Sequence, residues 1–417
     1  MKKILMMLAM GFAVTAGMAQ SIEDIRDLLN KKDYTAAKNG IDKYLADPKN
    51  ADKAEAWYLK GKSYTWYSQE KTTPEGELIA LKSAAYDAFR KYQQLDPSDK
   101  FMKLENWGSY LILYYDFYDL GANLFNAKNY EAAFNSFKKA LDVENYILSK
   151  QYSYTQATLH ALDTSLVLNT AIAARESKNE ADMVVYFKKL ADANVSGKDF
   201  NEIYEVLAEY YDKKGDEASL NEILAKGKKL YPGDSYWSEL ELSAIRKKGD
   251  QAALFAKYEE LIAKDPTNFA LGYNYAVELY NKLYNGDAKE ANPAMSDKLT
   301  SVLKAVIAND KGIEGVALMA NHTYNMASDA VAAVNLVKGT KPEDVKKKNE
   351  LKAISNKKMD ECIVYADQVA KFYEGKTDLK PKQSANYRIV LGYLSDIYNL
   401  KGDAKKAAEY DKKKSSL

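Results

Sequence analysis

Apolar residues recur along the chain at helical spacing, in paired segments separated by short polar breaks. In the first pair, Ile22 and Ile25 precede a polar break at residues 30–33, and Ala37 and Ile41 follow it. Residues three or four positions apart share one face of an α-helix, so each segment predicts an amphipathic helix. The pattern therefore predicts a succession of antiparallel helix pairs.

Two segments in the middle of the chain repeat at a fixed spacing. Gly215 recurs as Gly249 and Pro232 as Pro266, and both spacings are 34 residues. A helix-turn-helix unit of this length cannot bury its apolar face alone, so it must stack on neighbouring units to form a continuous core. The period predicts an array of repeats.

The repeats resemble the tetratricopeptide repeat (TPR), in which small residues and aromatic residues alternate at set positions. In the third unit the matching positions hold Phe117, Leu120, Gly121, Leu124, Ala133, Phe137 and Ala140. In the unit that begins at Asn201 they hold Tyr204, Leu207, Ala208, Tyr211, Leu220, Leu224, Gly227 and Pro232. The next unit departs from the pattern at Ser238. The small residues allow two helices to approach closely, and Phe137 is expected to fill the gap between neighbouring units.

The resemblance implies an all-α fold, a right-handed superhelical solenoid of about eight or nine antiparallel helix pairs. We divide the chain into N-terminal units (20–146), central units (147–310) and C-terminal helical units with a polar cap (311–417). The register stays open between residues 146–200 and 285–380.

Three segments interrupt the regular repeats. We interpret residues 68–77 as a loop insertion, because they contain the helix-breaking residues Pro74 and Gly76. Residues 146–166 are expected to form an extended or additional helix, and a break is expected between residues 285 and 293.

The first 19 residues have the pattern of a cleaved secretory signal. Lys2 and Lys3 precede an apolar segment, and Gly17 and Ala19 provide small residues at a cleavage site, so the mature chain is expected to begin at Gln20. No cysteine near this site could be acylated. We therefore expect an exported bacterial protein, located in the periplasm or peripheral to the outer membrane, with no transmembrane segment after cleavage.

Charge and composition exclude several classes of function. The 60 basic and 59 acidic residues give a net charge of +1, which argues against a nucleic-acid-binding protein. His160 and His322 each lack a companion histidine, Cys362 is the only cysteine, and no motif for a metal, nucleotide or serine hydrolase occurs. We expect no enzyme activity, no cofactor and no metal. The lysines of residues 346–348 are interpreted as a solvated helix face.

One candidate binding surface is acidic. Glu202, Glu205, Glu209 and Asp212 are spaced three, four and three residues apart, so all four share one helix face. The resemblance places them on the first helix of a repeat, facing a concave groove. A solvated acidic face, balanced by lysines such as Lys213, is the simpler explanation of this pattern, and a contact patch for a basic peptide is the alternative hypothesis.

A second candidate surface is aromatic. The resemblance assigns Tyr115, Tyr118 and Phe125 to groove positions of the third unit, and Tyr58 and Trp66 to the second. Aromatic rings there could stack on sugars or hold apolar peptide side chains, and packing between repeats is an equal explanation.

A carboxylate-binding clamp, known from some TPR proteins, is not matched at the groove positions. These carry Tyr58 and Lys62, Tyr118 and Ala122, and Glu205 and Glu209. The main functional hypothesis is a non-enzymatic scaffold that binds a peptide or protein partner in its groove, within a cell-envelope assembly. The alternative is a glycan-binding module that uses the aromatic groove.

Overall fold

The computed structural model describes residues 21–285, 292–309 and 312–417. These residues form nineteen α-helices and three short 3-10 helices, and no β-strand occurs among them. The α-helices are α1 (Ile22–Asn30), α2 (Tyr34–Ala46), α3 (Ala54–Tyr67), α4 (Leu78–Leu95), α5 (Lys100–Leu104), α6 (Gly108–Asn126), α7 (Tyr130–Ser149), α8 (Thr164–Glu176), α9 (Glu180–Asp192), α10 (Asn201–Lys214), α11 (Glu217–Leu230), α12 (Ser235–Lys247), α13 (Gln251–Lys264), α14 (Phe269–Tyr284), α15 (Pro293–Asn309), α16 (Glu314–Leu336), α17 (Pro342–Tyr373), α18 (Pro381–Leu400) and α19 (Ala404–Ser415).

Apart from the short helix α5, the helices pack in consecutive pairs. The unit ending at Asp234 contains five pairs, from α1–α2 to α10–α11, and the unit starting at Ser235 contains four, from α12–α13 to α18–α19. In each pair we call the first helix A and the second B. Nine pairs within the described residues confirm the predicted all-α repeat fold. The divisions after residues 146 and 310 stay predictions, and the signal segment and most of the break after Asn285 lie outside the described residues.

Close contact between the A and B helices depends on glycine at one position of the A helix. A Cβ atom at Gly121 of α6 would lie 2.6 Å from the Phe137 ring of α7, and a Cβ at Gly61 of α3 would overlap the Phe89 ring of α4. Both phenylalanines are fully buried. The predicted role of Gly121 in the close approach of the two helices is confirmed, and the second pair has the same glycine–phenylalanine contact. The expected packing of Phe137 between neighbouring units stays a prediction.

Six A–B turns share one backbone conformation. The residue before the capping Asp or Asn has a positive φ, and it is Lys32, Lys128, Lys178, Gly215, Gly249 or Gly402. In five of these turns, all except the one at Gly249, the next residue donates its backbone N–H to a carbonyl five residues earlier, as Asp33 does to Leu28 at 2.9 Å. This is the helix-ending arrangement for which glycine is best suited, and three of the turns adopt it with lysine.

The segment between α7 and α8 differs from the prediction. Helix α7 ends at Ser149, and residues 150–163 form a loop, so the expected extended or additional helix is wrong. Distant contacts determine this loop: Tyr152 stacks on Trp107 with ring centroids 4.5 Å apart, and the Tyr154 hydroxyl donates to the Trp107 carbonyl at 3.2 Å. Asp163 then caps α8. The predicted insertion at 68–77 is a loop with one 3-10 turn, as expected.

Gln93 of α4 connects this loop to the helices. Its side-chain oxygen accepts hydrogen bonds from Tyr110 at 2.8 Å and from Tyr146, and its amide nitrogen donates to Asp99 at 2.7 Å and to Tyr152 at 2.8 Å. One amide thus satisfies four buried or half-buried groups from four segments of the chain. This network holds the aromatic side chains of the first unit in fixed positions.

We expect Gly121→Ala to lower the free energy of unfolding by about 1–3 kcal/mol, because the added methyl group overlaps a fully buried ring. Gly61→Ala should have a similar effect. The matched control is Gly108→Ala in the first turn of α6, where a Cβ meets no atom within 4 Å. Urea unfolding followed by circular dichroism measures all three variants. Equal stability of Gly121→Ala and Gly108→Ala would contradict the proposed packing.

Candidate functional site

The four acidic candidates lie on one helix, α10. Glu202 and Glu209 are exposed, whereas Glu205 and Asp212 are half-buried. Arg175 of α8 donates to the Glu202 carboxylate at 2.6 Å, so this charge is paired within the protein. The Asn201 side chain donates to Glu205 at 2.7 Å. Part of the acidic set is therefore held by neighbouring side chains.

The surroundings of Glu205 shift the pKa of its carboxyl group. Burial raises the pKa of this carboxyl group, and the nearby carboxylates of Asp234, Glu202 and Glu209 raise it further. A raised pKa means that the charged form is disfavoured by its surroundings. A cationic group that approached α10 would relieve this repulsion.

Tyr58 and Trp66 of α3 are engaged with other parts of the protein. The Tyr58 ring stacks on Phe101 with centroids 5.0 Å apart, and its hydroxyl donates to Glu105 at 3.3 Å. Trp66 stacks on Tyr34 of α2 at 6.0 Å, and the Lys62 ammonium group lies 5.8 Å from its ring. Both rings therefore pack against neighbouring side chains.

The three candidates on α6 differ in accessibility. Tyr115 is 46% exposed. Tyr118 packs edge-on against Phe137 with centroids 5.9 Å apart, and its hydroxyl accepts from Asn169 of α8 at 3.2 Å. Phe125 packs edge-on against Tyr130 at 5.1 Å and stays partly exposed. Tyr115 is the exposed aromatic candidate, and Phe125, like the other three, is half-buried.

Phe125 belongs to a pocket between two consecutive A helices, α6 and α8. The pocket has a volume of about 220 Å³ and is lined by Ala122, Phe125, Asn126, Phe137, Asn169 and Ile172. Its walls are mainly apolar, and the two asparagine amides provide both donors and acceptors. We call this the α6–α8 pocket.

The pocket residues of α8 were missed by the sequence analysis. Asn169 and Ile172 follow the loop at residues 150–163, which had been assigned to a helix, so the register of α8 was unknown. Asp163 before an apolar helical run was the available signal, because an aspartate at this position marks a helix N-terminus. The structure brings Phe125 together with α8, and it places the acidic set on the next A helix, α10.

The histidines and the cysteine are not arranged for catalysis. His322 is fully buried in α16, where its ring nitrogens lie 2.8 Å from the hydroxyls of Tyr284 and Thr300, and burial lowers its pKa to about 4. Burial raises the pKa of the Cys362 thiol to about 12. His160 is exposed in the 150–163 loop rather than in a helix. His322 is thus a packed residue of the core.

Among the described residues, no group of three or more His, Cys, Asp or Glu side chains is arranged to hold a metal ion. None of the described helices is long and apolar enough to cross a membrane.

No family model matches the chain, and no curated protein matches it in sequence. Among solved structures, it is similar to the TPR domain of P58(IPK), with 13% identity, a TM-score of 0.26, and coverage of 90% of this chain and 97% of that one. It is also similar to a chain of Naa15/Naa10 bound to HypK-THB, with 15% identity, a TM-score of 0.32 and coverage of 94% and 57%. It is similar as well to a chain of the APC/C hetero-tetramer Cut9-Hcn1, with 10% identity and a TM-score of 0.23. That match covers 93% of this chain and 76% of the other.

Similarities with TM-scores this low carry no conclusion about function. The nine helix pairs of the described residues, two of which contain a glycine–phenylalanine contact, form a TPR-like helical repeat fold. The binding roles of the four acidic and five aromatic candidates stay predictions.

We expect Tyr58→Ala to lower the free energy of unfolding by about 3 kcal/mol or more, because it removes a packed ring and leaves Glu105 with fewer partners. Tyr115→Ala should change stability by less than about 0.5 kcal/mol, since that ring is 46% exposed. Thermal and urea unfolding of the two variants provide the measurement. A Tyr58→Ala protein as stable as the Tyr115→Ala protein would show that Tyr58 is not a structural residue.

Proposed function

We propose that the protein is a non-enzymatic scaffold that binds an extended peptide segment of a partner protein along the A helices of its first unit. A TPR-like fold supports interaction with protein partners. Stacked helix pairs present consecutive A helices side by side, which provides a long surface for an extended ligand. The fold alone does not determine the ligand, so the proposal rests on the site.

The α6–α8 pocket is the observation that carries this proposal. Its volume of about 220 Å³ is below the ~300–1,000 Å³ that is typical of small-molecule sites. An apolar side chain of a peptide fits a space of this size better than a cofactor does. The amides of Asn126 and Asn169 can pair with peptide N–H and carbonyl groups at the mouth of the pocket.

The acidic face of α10 suggests the second feature of the peptide. Arg175 of α8 donates to Glu202 of α10 at 2.6 Å, so the acidic face of α10 lies close to α8. An extended chain advances about 3.3 Å per residue, so a peptide anchored in the α6–α8 pocket would reach α10 within a few residues. A Lys or Arg there would approach the carboxylates of Glu205 and Glu209. We propose a partner segment with an apolar residue and a nearby basic residue.

The structural observations do not favour the glycan-binding alternative. Sugar stacking requires an accessible aromatic ring face. Tyr58 is stacked on Phe101, and Trp66 lies between Tyr34 and Lys62. Tyr115 is the most exposed aromatic candidate, and it stands on a different helix from these two. The half-buried α3 rings thus pack against neighbouring side chains and do not form a free platform for a sugar.

The peptide proposal is tested by selecting peptides from a randomised phage-displayed library with the full chain. We expect selected peptides to share an apolar residue, and Ala122→Trp to weaken their binding at least about tenfold, because the indole would fill the pocket. Fluorescence polarisation with one selected peptide measures the affinity, and circular dichroism checks the fold.

The matched control is Val185→Trp on α9, where an indole replaces a side chain that is 60% exposed. This variant should bind the peptide like the wild type. If both tryptophan variants bind equally well, the pocket does not hold the peptide, and the proposed site is wrong.

We also propose that the protein acts in the periplasm, as part of a cell-envelope assembly. The support is the signal pattern of residues 1–19. When the full chain is expressed in a Gram-negative host, we expect the protein in the periplasmic fraction, with Gln20 as its first residue. N-terminal sequencing of that fraction is the measurement. Retention of Met1 in a cytoplasmic protein would contradict export.

A further inference from the structure

The distal parts of helices α16 and α17 contribute little to the hydrophobic core that their other halves help to form. The buried core residues of these two helices lie at Val316–Ala327 and Met359–Tyr373, and the partly buried Val331 packs against them. Between these ranges, residues 342–354 contain no buried side chain, and Val334 is the buried residue of 328–336. We call residues 328–354 the distal hairpin. At 1.5 Å per residue, its α17 portion is about 20 Å long.

The distal hairpin exposes apolar side chains near its tip. Leu336, the last residue of α16, is 80% exposed, and Val345, in the first turn of α17, is 48% exposed. An isolated exposed leucine is ordinary on a protein surface. Here the two apolar residues flank the connection between the helices, at the end that lies farthest along the hairpin from the core.

The same end carries an excess of positive charge. Residues 337–352 contain six lysines and three acidic residues, a net charge of +3, whereas the whole chain carries only +1. The six are Lys338, Lys341, Lys346, Lys347, Lys348 and Lys352. Within the part of the chain that the structure describes, none of them forms an ion pair.

Two of the three acidic residues are accounted for by the helix itself. Glu343 and Asp344 lie in the first turn of α17, where the helix dipole favours negative charge. The Asp344 carboxylate also folds back against Gly339 in the connection. These two acidic residues therefore stabilise the start of the helix. The six lysines still leave this end of the hairpin with a net positive charge.

The directions of the lysines indicate the shape of the partner surface. Lys346, Lys347 and Lys348 are consecutive, so they point about 100° apart around the helix. A groove along one side of α17 would meet only one of them. A flat surface that meets the hairpin end-on would lie within about 10 Å of all three, which is about one Debye length at physiological salt.

We propose that the distal hairpin docks end-on onto an anionic lipid surface, with Leu336 and Val345 at the acyl boundary and the lysines among the headgroups. Apolar side chains surrounded by lysines match the two components of such a surface, its hydrocarbon and its negative charge. Residues 346–348, which were interpreted from the sequence as a solvated helix face, are thus part of the proposed lipid-binding surface.

The test is co-sedimentation of the full chain with vesicles at low and at physiological salt. One set of vesicles contains phosphatidylcholine alone, and in the other about one lipid in three is the anionic phosphatidylglycerol. We expect binding to the anionic vesicles only, weakened by salt. Lys346→Glu/Lys347→Glu and Leu336→Asp should each reduce the partition coefficient about tenfold or more.

Two matched control variants test whether a loss of vesicle binding is specific to the distal hairpin. Lys405→Glu/Lys412→Glu makes the same change in net charge at exposed lysines of α19, and Leu104→Asp changes a leucine that is 79% exposed in the first unit. Both should bind the anionic vesicles like the wild type. Circular dichroism verifies that every variant is folded.

The proposal is overturned if the wild type does not bind anionic vesicles, or if the control variants lose as much binding as the hairpin variants. Pull-down from an envelope extract distinguishes the other possible occupant. If the hairpin variants lose an acidic protein partner while vesicle binding is absent, the surface binds a protein and the lipid proposal is wrong.

Discussion

The close approach of the A and B helices is the constraint on which the other packing depends. At Gly61 and Gly121 the absence of a Cβ atom allows a phenylalanine of the B helix to lie against the A-helix backbone. The distance between the helices then determines which side chains are buried and which remain on the A-helix surface. Since a repeat cannot bury its apolar face alone, an error in one pair would be transmitted to its neighbours. Phe137, which takes part in this contact, is also one of the residues that line the α6–α8 pocket.

Much of the fold could be predicted from the sequence because its information is local. Helical spacing, small residues opposite aromatic residues, and Asp or Asn after a turn are all visible within about 34 residues, and the nine helix pairs follow from them. The loop at 150–163 could not be predicted in this way. Its conformation depends on Trp107 and Gln93, which lie more than one repeat earlier in the chain.

The candidate site was predictable only in part. The face of α10 follows from spacing alone, but the pairing of Glu202 with Arg175 requires the position of a neighbouring repeat. For the aromatic candidates, sequence pattern could not separate packing from exposure, and the structure separates Tyr58 from Tyr115 by their contacts. Asn169 and Ile172 became visible as pocket residues only when the register of α8 was known.

The six A–B turns with positive φ have a consequence for the order in which the repeats come apart. A left-handed conformation costs a non-glycine residue about 1–2 kcal/mol, and Lys32, Lys128 and Lys178 all lie in the first unit, whereas the glycine turns begin at Gly215. In a linear array, each repeat contributes its own local term to stability. Opening under heat or mechanical tension is therefore expected to begin in the lysine-turn repeats, which lie in the unit that carries the proposed binding surface. A ligand that spans α6, α8 and α10 would oppose this opening.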